Sequence, residues 1–196
     1  MSRFPGSVAT RLHLPAKTEG PVPAVVRFQG YGGGRGLPLE VSAWTLAGYA
    51  SLIMDTRGQG FAWIPGATAD PVGAAPSHPG FTTRGILDPN EYYHRRAYAD
   101  AVLALDAVRS HPMVQRDKVA TSGASREGGI SLAVAALAPD LWAALIDVPF
   151  LFRRYQRHRQ AVATGTRASL CTTGYVVMRT RAWEPQLVDD VLTSSP

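Results

Sequence analysis

Residues 118–137, KVATSGASREGGISLAVAAL, predict a strand, a sharp turn and a helix in immediate succession. The β-branched run Val119–Ser122 is typical of a short strand, and the alanine-rich pattern after Ser125 is typical of a helix. A serine at such a turn is held in a strained conformation that lifts its hydroxyl above the sheet, while the first helical amides point at a developing anion. We therefore expect Ser125 to be a nucleophile for acyl transfer.

The turn departs at one position from the G-x-S-x-G spacing that is usual for such a serine. The sequence reads Gly123-Ala124-Ser125-Arg126-Glu127, so Glu127 replaces the second glycine, and Gly128 and Gly129 follow it. A carboxylate about 5 Å from an oxyanion, at an effective dielectric constant of about 20, would oppose that charge by about 3 kcal/mol. We expect Glu127 to slow acyl transfer without abolishing it, and to strain the turn.

Two buried strands are predicted before the serine. Pro23–Gln29 and Tyr49–Asp55 are apolar runs of strand length, and apolar residues spaced by three and four positions predict a helix over Leu39–Ala47. Strand, helix and strand in this order predict a right-handed parallel crossover. The glycine-rich segment Gly30–Gly34 ends the first strand. It is either a flexible turn or the source of a second oxyanion donor, the amide of Tyr31.

A long loop and a long helix follow. The loop begins with Arg57-Gly58-Gln59, is rich in proline and glycine, and contains His78, for which we expect local hydrogen bonds. Asp88, Pro89 and Glu91 match the signature of a helix N-terminus.

This helix is expected to run to about His111 and to bury one apolar stripe, with its charged side chains in solvent. His94 and His111 are expected at the surface. The stripe consists of Tyr98, Val102, Leu105 and Val108.

After the serine, Trp142–Val148 predicts a further buried strand that ends at Asp147. Residues 1–22 support only an edge strand or a loop. Strands and helices that alternate in this way predict the α/β class, a three-layer sandwich with a mostly parallel central sheet. At 196 residues the chain has room for one core.

The composition limits the cofactors and the location. Cys171 is the single cysteine, so neither a disulfide framework nor a C-x-x-C metal pair is expected. We expect no metal and no cofactor. No apolar run is long enough for a signal peptide or a membrane span, which favours a cytoplasmic protein without a membrane partner.

From Arg27 to Leu151 the chain resembles carbohydrate esterase family seven, the acetyl xylan esterases and cephalosporin C deacetylases, which are α/β hydrolases. The resemblance rests on FQGYGGGRG, MDTRGQG, HPGFTTRGILDPNEYYHRRAYADAV, and the serine turn followed by DVPFL. It implies hydrolysis of short acyl esters, chiefly acetyl groups on sugars, by a serine, histidine and aspartate triad without metal or cofactor. It also implies a small acetylated sugar as substrate, and the family's larger assemblies suggest a homo-oligomer.

The resemblance assigns roles to particular residues. Ser125 would be the nucleophile, and the amides of Tyr31 and Arg126 would form the oxyanion hole. The motif Arg57-Gly58-Gln59 is specific to this family among hydrolases, and its arginine and glutamine would be structural. The family has a glutamine and a glycine after the serine, where this chain has Arg126 and Glu127.

The triad's acid and base are not evident. In the family they follow two further strands well beyond DVPFL, and no later segment of this chain matches their surroundings. The order Ser125, Asp147, His158 fits a hydrolase and gives a substitute triad. His158, however, lies among arginines without a strand before it.

The composition changes after Leu151. Residues 152–181 contain seven arginines and no acidic residue, which accounts for the positive net charge of the chain. We divide the chain into 1–151, the N-terminal part of a hydrolase domain whose C-terminal strands are absent, and 152–196, an atypical arginine-rich tail. The tail is interpreted as disordered or as the product of a frameshift in a GC-rich gene, since the chain has two lysines and eighteen arginines.

Three functions remain open from the sequence. The first is a carbohydrate acetylesterase that is impaired or inactive in this chain. The second is a non-catalytic, truncated α/β fragment with an open sheet edge. The third is a nucleic-acid binder that uses the arginines of the tail. We favour no nucleic-acid partner, because neither aromatic interleaving nor a recognition motif accompanies these arginines.

Overall fold

The apolar runs predicted as strands form the centre of one seven-stranded sheet. The computed structural model describes residues 6–72, 80–150, 167–170 and 175–179. Along the sheet the strands follow the order β1-β3-β2-β4-β5-β7-β6. Their bounds are β1 Thr10–His13, β2 Val22–Arg27, β3 Ala50–Met54, β4 Val114–Ala124, β5 Ala143–Asp147, β6 Arg167–Leu170 and β7 Tyr175–Arg179.

The four central strands, β2 to β5, are parallel to one another, as the sequence predicts. Strand β1 pairs with β3 antiparallel and forms one edge, in agreement with the edge strand expected near the N-terminus. Strand β7 pairs antiparallel with β5, and β6 with β7. The α/β class with a mostly parallel central sheet is therefore confirmed.

The helix predicted over Leu39–Ala47 is nearly lost. A 3-10 turn, Pro38–Val41, precedes a single helical turn, α1 Ala43–Leu46. Leu39 is 88% exposed and Leu46 is 84% exposed. Because short helices in water depend on burying an apolar face, these unpacked leucines explain why no longer helix forms.

The helix before the serine turn, α2 Tyr93–Arg109, begins later than the sequence predicts. The Asp88 carboxylate accepts a hydrogen bond from the Asn90 amide at 2.8 Å. An aspartate that bonds to the backbone two residues on closes a turn, and this replaces the predicted helix cap. The prediction that Asp88 caps α2 is wrong for this reason.

Polar side chains of α2 are buried, contrary to the solvent-facing surface predicted for them. His94, Arg96 and Asp100 are all at most 8% exposed. Carboxylates and guanidinium groups of the loops contact these side chains. The spacing of residues within α2 does not predict such contacts. Of the predicted stripe, Leu105 and Val108 are buried, whereas Tyr98 and Val102 are half-buried. His111 is half-buried, and its Nδ1 accepts a hydrogen bond from the Met113 amide.

The main core lies between one face of the sheet and the two long helices, α2 and α3 Ser125–Leu137. Strand residues such as Val26, Leu52 and Ile146 form one buried cluster with Leu105 of α2 and Val134 of α3. Both helices therefore pack on the same face of the sheet, and α3 begins at the C-terminal end of β4.

The arginine-rich segment contains two short strands, β6 and β7, for which no pattern was recognised in the sequence. Both are brief and contain residues that favour strands, as in YVVMR. Other predictions fall outside the described residues, namely those for His78, His158 and Cys171 and for most of the tail. Within the described ranges, no helix combines the length and apolar character needed to cross a bilayer.

Candidate active site

The predicted site residues meet at the edge of the sheet where the parallel strands end. Strand β2 lies between β3 and β4. The chain therefore passes from β2 to β3 on one side of β2, and then crosses to β4 on its other side. Such a reversal opens a crevice beyond the carboxyl ends of the strands, where open α/β sheets bind ligands. Tyr31 follows β2, Gln59 follows β3, Ser125 follows β4 and Asp147 ends β5.

Ser125 is held in the left-handed region of backbone conformation, with φ at +54°. For a residue other than glycine this conformation costs about 1–3 kcal/mol and requires support from its surroundings. The amide of Phe150, in the segment after β5, donates a hydrogen bond to the Ser125 carbonyl at 2.8 Å. The serine is exposed, and the described residues form no hydrogen bond with its hydroxyl. Its oxygen is thus available at the crevice.

Two backbone amides are available near this crevice. The amide of Arg126 is the second of α3, and the first four amides of a helix have no partner within it. The amide of Tyr31 forms no hydrogen bond with any described residue, whereas the neighbouring Gly32 amide donates to Gln59 Oε1 at 2.9 Å. Two amide donors, one on each of two elements, are therefore available to bind an oxyanion.

The glycines after Tyr31 permit close packing between two loops. The Gly34 amide donates to the Ile64 carbonyl at 2.9 Å, and a Cβ at Gly34 would lie 2.2 Å from the Gly66 nitrogen. Side chains at these positions would force the loops apart. The glycine-rich segment is therefore fixed against the loop that follows β3, in contrast to a flexible turn.

The side chains of Arg57 and Gln59 point away from solvent into the protein. Arg57 donates from Nε and Nη2 to both carboxylate oxygens of Asp100, at 2.6 and 2.7 Å. Gln59 donates from Nε2 to the Tyr93 hydroxyl at 2.8 Å, and that hydroxyl donates to the Arg57 carbonyl. Gly58 joins the two residues with φ at +71°. This motif links the glycine-rich segment to α2.

Two carboxylates that support the loops were missed in the sequence. Asp55 accepts hydrogen bonds from the Arg35 amide at 2.7 Å and from the Ala67 amide at 2.9 Å. Asp70 is 1% exposed and accepts from Arg96 Nη2 at 2.8 Å. Asp55 could have been recognised as an acid directly after a buried strand, but no local pattern marks Asp70.

The side chain of Arg126 is buried beneath the serine turn. Its Nη2 donates to the Gln29 carbonyl at 3.0 Å, and its guanidinium carbon lies 5.0 Å from the centre of the Phe81 ring. Among the described residues no carboxylate pairs with it, and burial lowers the pKa of Arg126. Arg126 thus contributes a candidate amide donor and a contact to the segment after β2.

Glu127 is also buried, and it is the third residue of α3. Its Oε1 accepts a hydrogen bond from Arg27 Nε at 3.2 Å. Burial raises the pKa of Glu127 to about 6, against the opposing effect of Arg27. The turn accommodates this side chain over Gly123, where a Cβ would lie 2.3 Å from Glu127 Cγ.

His94 occupies a closed aromatic site with 0% exposure, so the surface position predicted for it is wrong. Its ring centre lies 5.2 Å from those of Tyr92 and Tyr93. Neither ring nitrogen bonds to a described residue. Burial, with a smaller contribution from the charge of Arg126, lowers the pKa of His94 to about 4. The imidazole is therefore neutral at pH 7, and it forms no hydrogen bond with Ser125.

Asp147 lies one strand away from the serine, since its register partner in β4 is Ala124. Its side chain is half-buried. No described histidine bonds to Asp147 or to Ser125, and His158 lies outside the described residues. The described part of the chain also contains no group of three histidine, cysteine or acidic side chains placed to hold a metal ion.

A strained serine between a parallel strand and a helix, beside amide donors at the crevice of the sheet, defines an α/β-hydrolase fold. The family can also be stated. The profile of the acetyl xylan esterase (AXE1) family matches residues 4–175, and this chain belongs to that family.

Solved structures of the family resemble this one. An acetyl xylan esterase from Paenibacillus sp. R4 is 34% identical, with a TM-score of 0.65 over 79% of this chain. Acetyl xylan esterase 1 from Thermoanaerobacterium sp. JW/SL YS485 is 29% identical, with a TM-score of 0.64 over 79% of this chain. In each case the match covers 55% of the other protein, so this chain spans about half the length of these relatives.

Proposed function

We propose that this chain is a serine esterase that removes acetyl groups from acetylated carbohydrates, with Ser125 as its nucleophile. The observation that carries the proposal is the exposed, strained Ser125 at the crevice between β2 and β4. Membership of the acetyl xylan esterase family supports the substrate class. The resemblance extends the proposal to the acetyl ester of cephalosporin C as a second substrate.

The proposed reaction has two halves. Ser125 Oγ attacks the acetyl carbonyl and loses its proton to a base, while the amides of Tyr31 and Arg126 stabilise the oxyanion. The alcohol leaves with a proton from the protonated base, and an acetyl-serine remains. Water then attacks this ester through the same base, and acetate is released as the serine regains its proton.

The base in this proposal is His158, oriented by Asp147. Chain order supports the assignment, and the position of Asp147 beside Ala124 places a carboxylate one strand from the nucleophile. We propose a low rate for this chain, because no described histidine contacts Ser125. The arrangement requires no metal and no cofactor.

Hydrolysis of 4-nitrophenyl acetate by the wild type and by Ser125→Ala tests the proposal. Loss of the nucleophile should reduce the rate to the background of the buffer, because Ser125 is the residue proposed to carry the acetyl group. Equal rates for the two proteins would remove the enzymatic claim. His158→Ala should reduce the rate as strongly, whereas the matched change His111→Ala should not. Release of acetate from acetylated xylan and from cephalosporin C then establishes the substrate class.

A further inference from the structure

Glu127 occupies a defined position in the serine turn. Ala124 is the residue that caps α3, and Glu127 is three positions later. A glutamate at this place can bond back to the amide of the capping residue, as in one half of a capping box. The backbone of Ala124 favours the ionised carboxylate, because it acts to lower the pKa of Glu127. The negative charge also lies at the positive end of the helix dipole, which favours it.

The same carboxylate crosses to the neighbouring strand. It accepts a hydrogen bond from Arg27 Nε at 3.2 Å, and Arg27 is the last residue of β2. Arg126 forms a parallel connection, because its Nη2 donates to the Gln29 carbonyl. The two residues that follow the nucleophile therefore connect α3 to residues 27–29.

Residues 27–29 lead directly to Tyr31, whose amide is one of the two candidate oxyanion donors. The other donor, the Arg126 amide, lies on α3. The donors thus belong to separate elements, and their spacing depends on what holds those elements together. Stabilisation of an oxyanion requires donors at a fixed distance from it before the reaction begins.

Resting on the proposed function, we propose that Glu127 is a positioning residue that sets the spacing of the oxyanion hole by joining the serine turn to the end of β2. It acts through its hydrogen bond with Arg27, and it does not contact the substrate. In this proposal, the glutamate that replaces the second glycine of the motif contributes to the function of the site.

The alternative to positioning is that the charge of Glu127 repels the oxyanion and slows the reaction. That effect predicts a faster enzyme when the carboxylate is removed. The structure favours positioning, because the Arg27 guanidinium bonds to the carboxylate and offsets its field. The two effects have opposite signs in one experiment.

The kinetic test compares Glu127→Ala, Glu127→Gln and the exposed control Glu19→Ala with the wild type, using 4-nitrophenyl acetate. Glu127→Ala should lower kcat about tenfold to a hundredfold, as expected when donors are misplaced. The KM should stay within about twofold, because the ester does not contact this side chain. Glu127→Gln keeps one acceptor oxygen and should fall between the two, while Glu19→Ala should match the wild type. A Glu127→Ala enzyme as fast as the wild type, or faster, would overturn the proposal.

Amide hydrogen exchange gives a measurement that is independent of turnover. Glu127→Ala should speed exchange in residues 28–34 and in the serine turn, because both lose a connection, while β3 should exchange as in the wild type. Unchanged exchange in residues 28–34 would contradict the proposal. If the wild type hydrolyses the ester no faster than Ser125→Ala, the proposed function fails, and the exchange result alone decides the role of Glu127.

Discussion

At the scale of single residues, His94 is a titratable group that burial holds neutral. The ring is fully buried, packs against the rings of three tyrosines and lies near the buried cation of Arg126. A proton on His94 would have neither water nor a described acceptor, so the charged form is penalised in the folded state. The unfolded chain has no such restriction. Folding therefore competes with protonation at this position.

The stability due to a neutral His94 should be lost in acid. Because the pKa of His94 falls from 6.5 to about 4 on folding, this contribution is complete above about pH 6.5 and declines as the pH falls toward 4. His94→Phe cannot be protonated. Its free energy of unfolding should fall by about 2 kcal/mol less than that of the wild type between pH 7 and pH 4.5. Urea denaturation at the two pH values measures the difference, and equal losses in both proteins would contradict the assignment.

Local sequence was sufficient to place some residues of the candidate site in the fold and insufficient for others. Ser125 could be located because a strand, a glycine and a helix stand next to it in the chain. His94 could not be placed, because its surroundings include Arg126, which is 32 positions away in the chain. Glu127 was predicted to strain the turn, because the sequence does not reveal its partner. That partner, Arg27, is 100 positions away in the chain.

At the scale of elements, α3 lies close to β5 through its glycines. A Cβ at Gly128 would lie 2.8 Å from the Asp147 carbonyl oxygen and 2.9 Å from that of Gly123. Both neighbours are backbone atoms of strands in the sheet, so neither can move as a side chain would. The glycines after Glu127 thus determine how closely the helix approaches the sheet.

Gly128→Ala should destabilise the protein although alanine favours helices. We expect a cost of about 1–3 kcal/mol, because the added methyl group separates α3 from β5. The matched control is Gly20→Ala, where a Cβ meets no atom within 4 Å. The control should be neutral or slightly stabilising, by less than about 1 kcal/mol. Thermal denaturation of the two variants tests the assignment, and similar melting temperatures would contradict it.

Elements with strong local patterns were predicted well. The central strands consist of continuous apolar runs, and three of them both begin and end within two residues of the predicted positions. Boundaries that depend on competing interactions were not predictable. Asp88 has the residue type of a helix cap, yet its carboxylate closes a turn with Asn90, and α2 starts at Tyr93.

At the scale of the whole molecule, buried ion pairs connect the loops of the site to the core. Arg57 comes from the loop after β3, and Asp100 comes from α2. Asp70 and Arg96 extend this network, and all four side chains are at most 8% exposed. Charges buried in this way are costly unless each remains paired. The integrity of the fold and that of the site therefore depend on the same contacts.

Asp100→Asn should be strongly destabilising, by about 3 kcal/mol, since it removes the charge opposite the buried Arg57. The control is the pair of Arg109 and Asp140, in which the aspartate side chain is 73% exposed. Asp140→Asn should cost less than about 1 kcal/mol, because water screens the pair. Urea denaturation of both variants separates these cases, and equal midpoints would contradict the role assigned to the network.

The overall class followed from the alternation of strands and helices, which is a property of the chain read in order. The ion network did not follow from it, because its members are separated by up to 43 positions, as Arg57 and Asp100 are. The arginine-rich segment contributed two strands that its composition concealed. Pairing with β5 supplies β7 with a partner that the sequence pattern does not reveal.

The pairing of Arg57 with Asp100 also affects how genetic screens of this protein should be interpreted. A screen that scores only ester cleavage would rank changes at these two positions beside changes at Ser125. Under the proposed function, the first kind would act by lowering the amount of folded protein, and the second by removing the reaction from protein that is still folded. Counting folded molecules in the same cells would separate the two groups, and only the second would mark the chemistry.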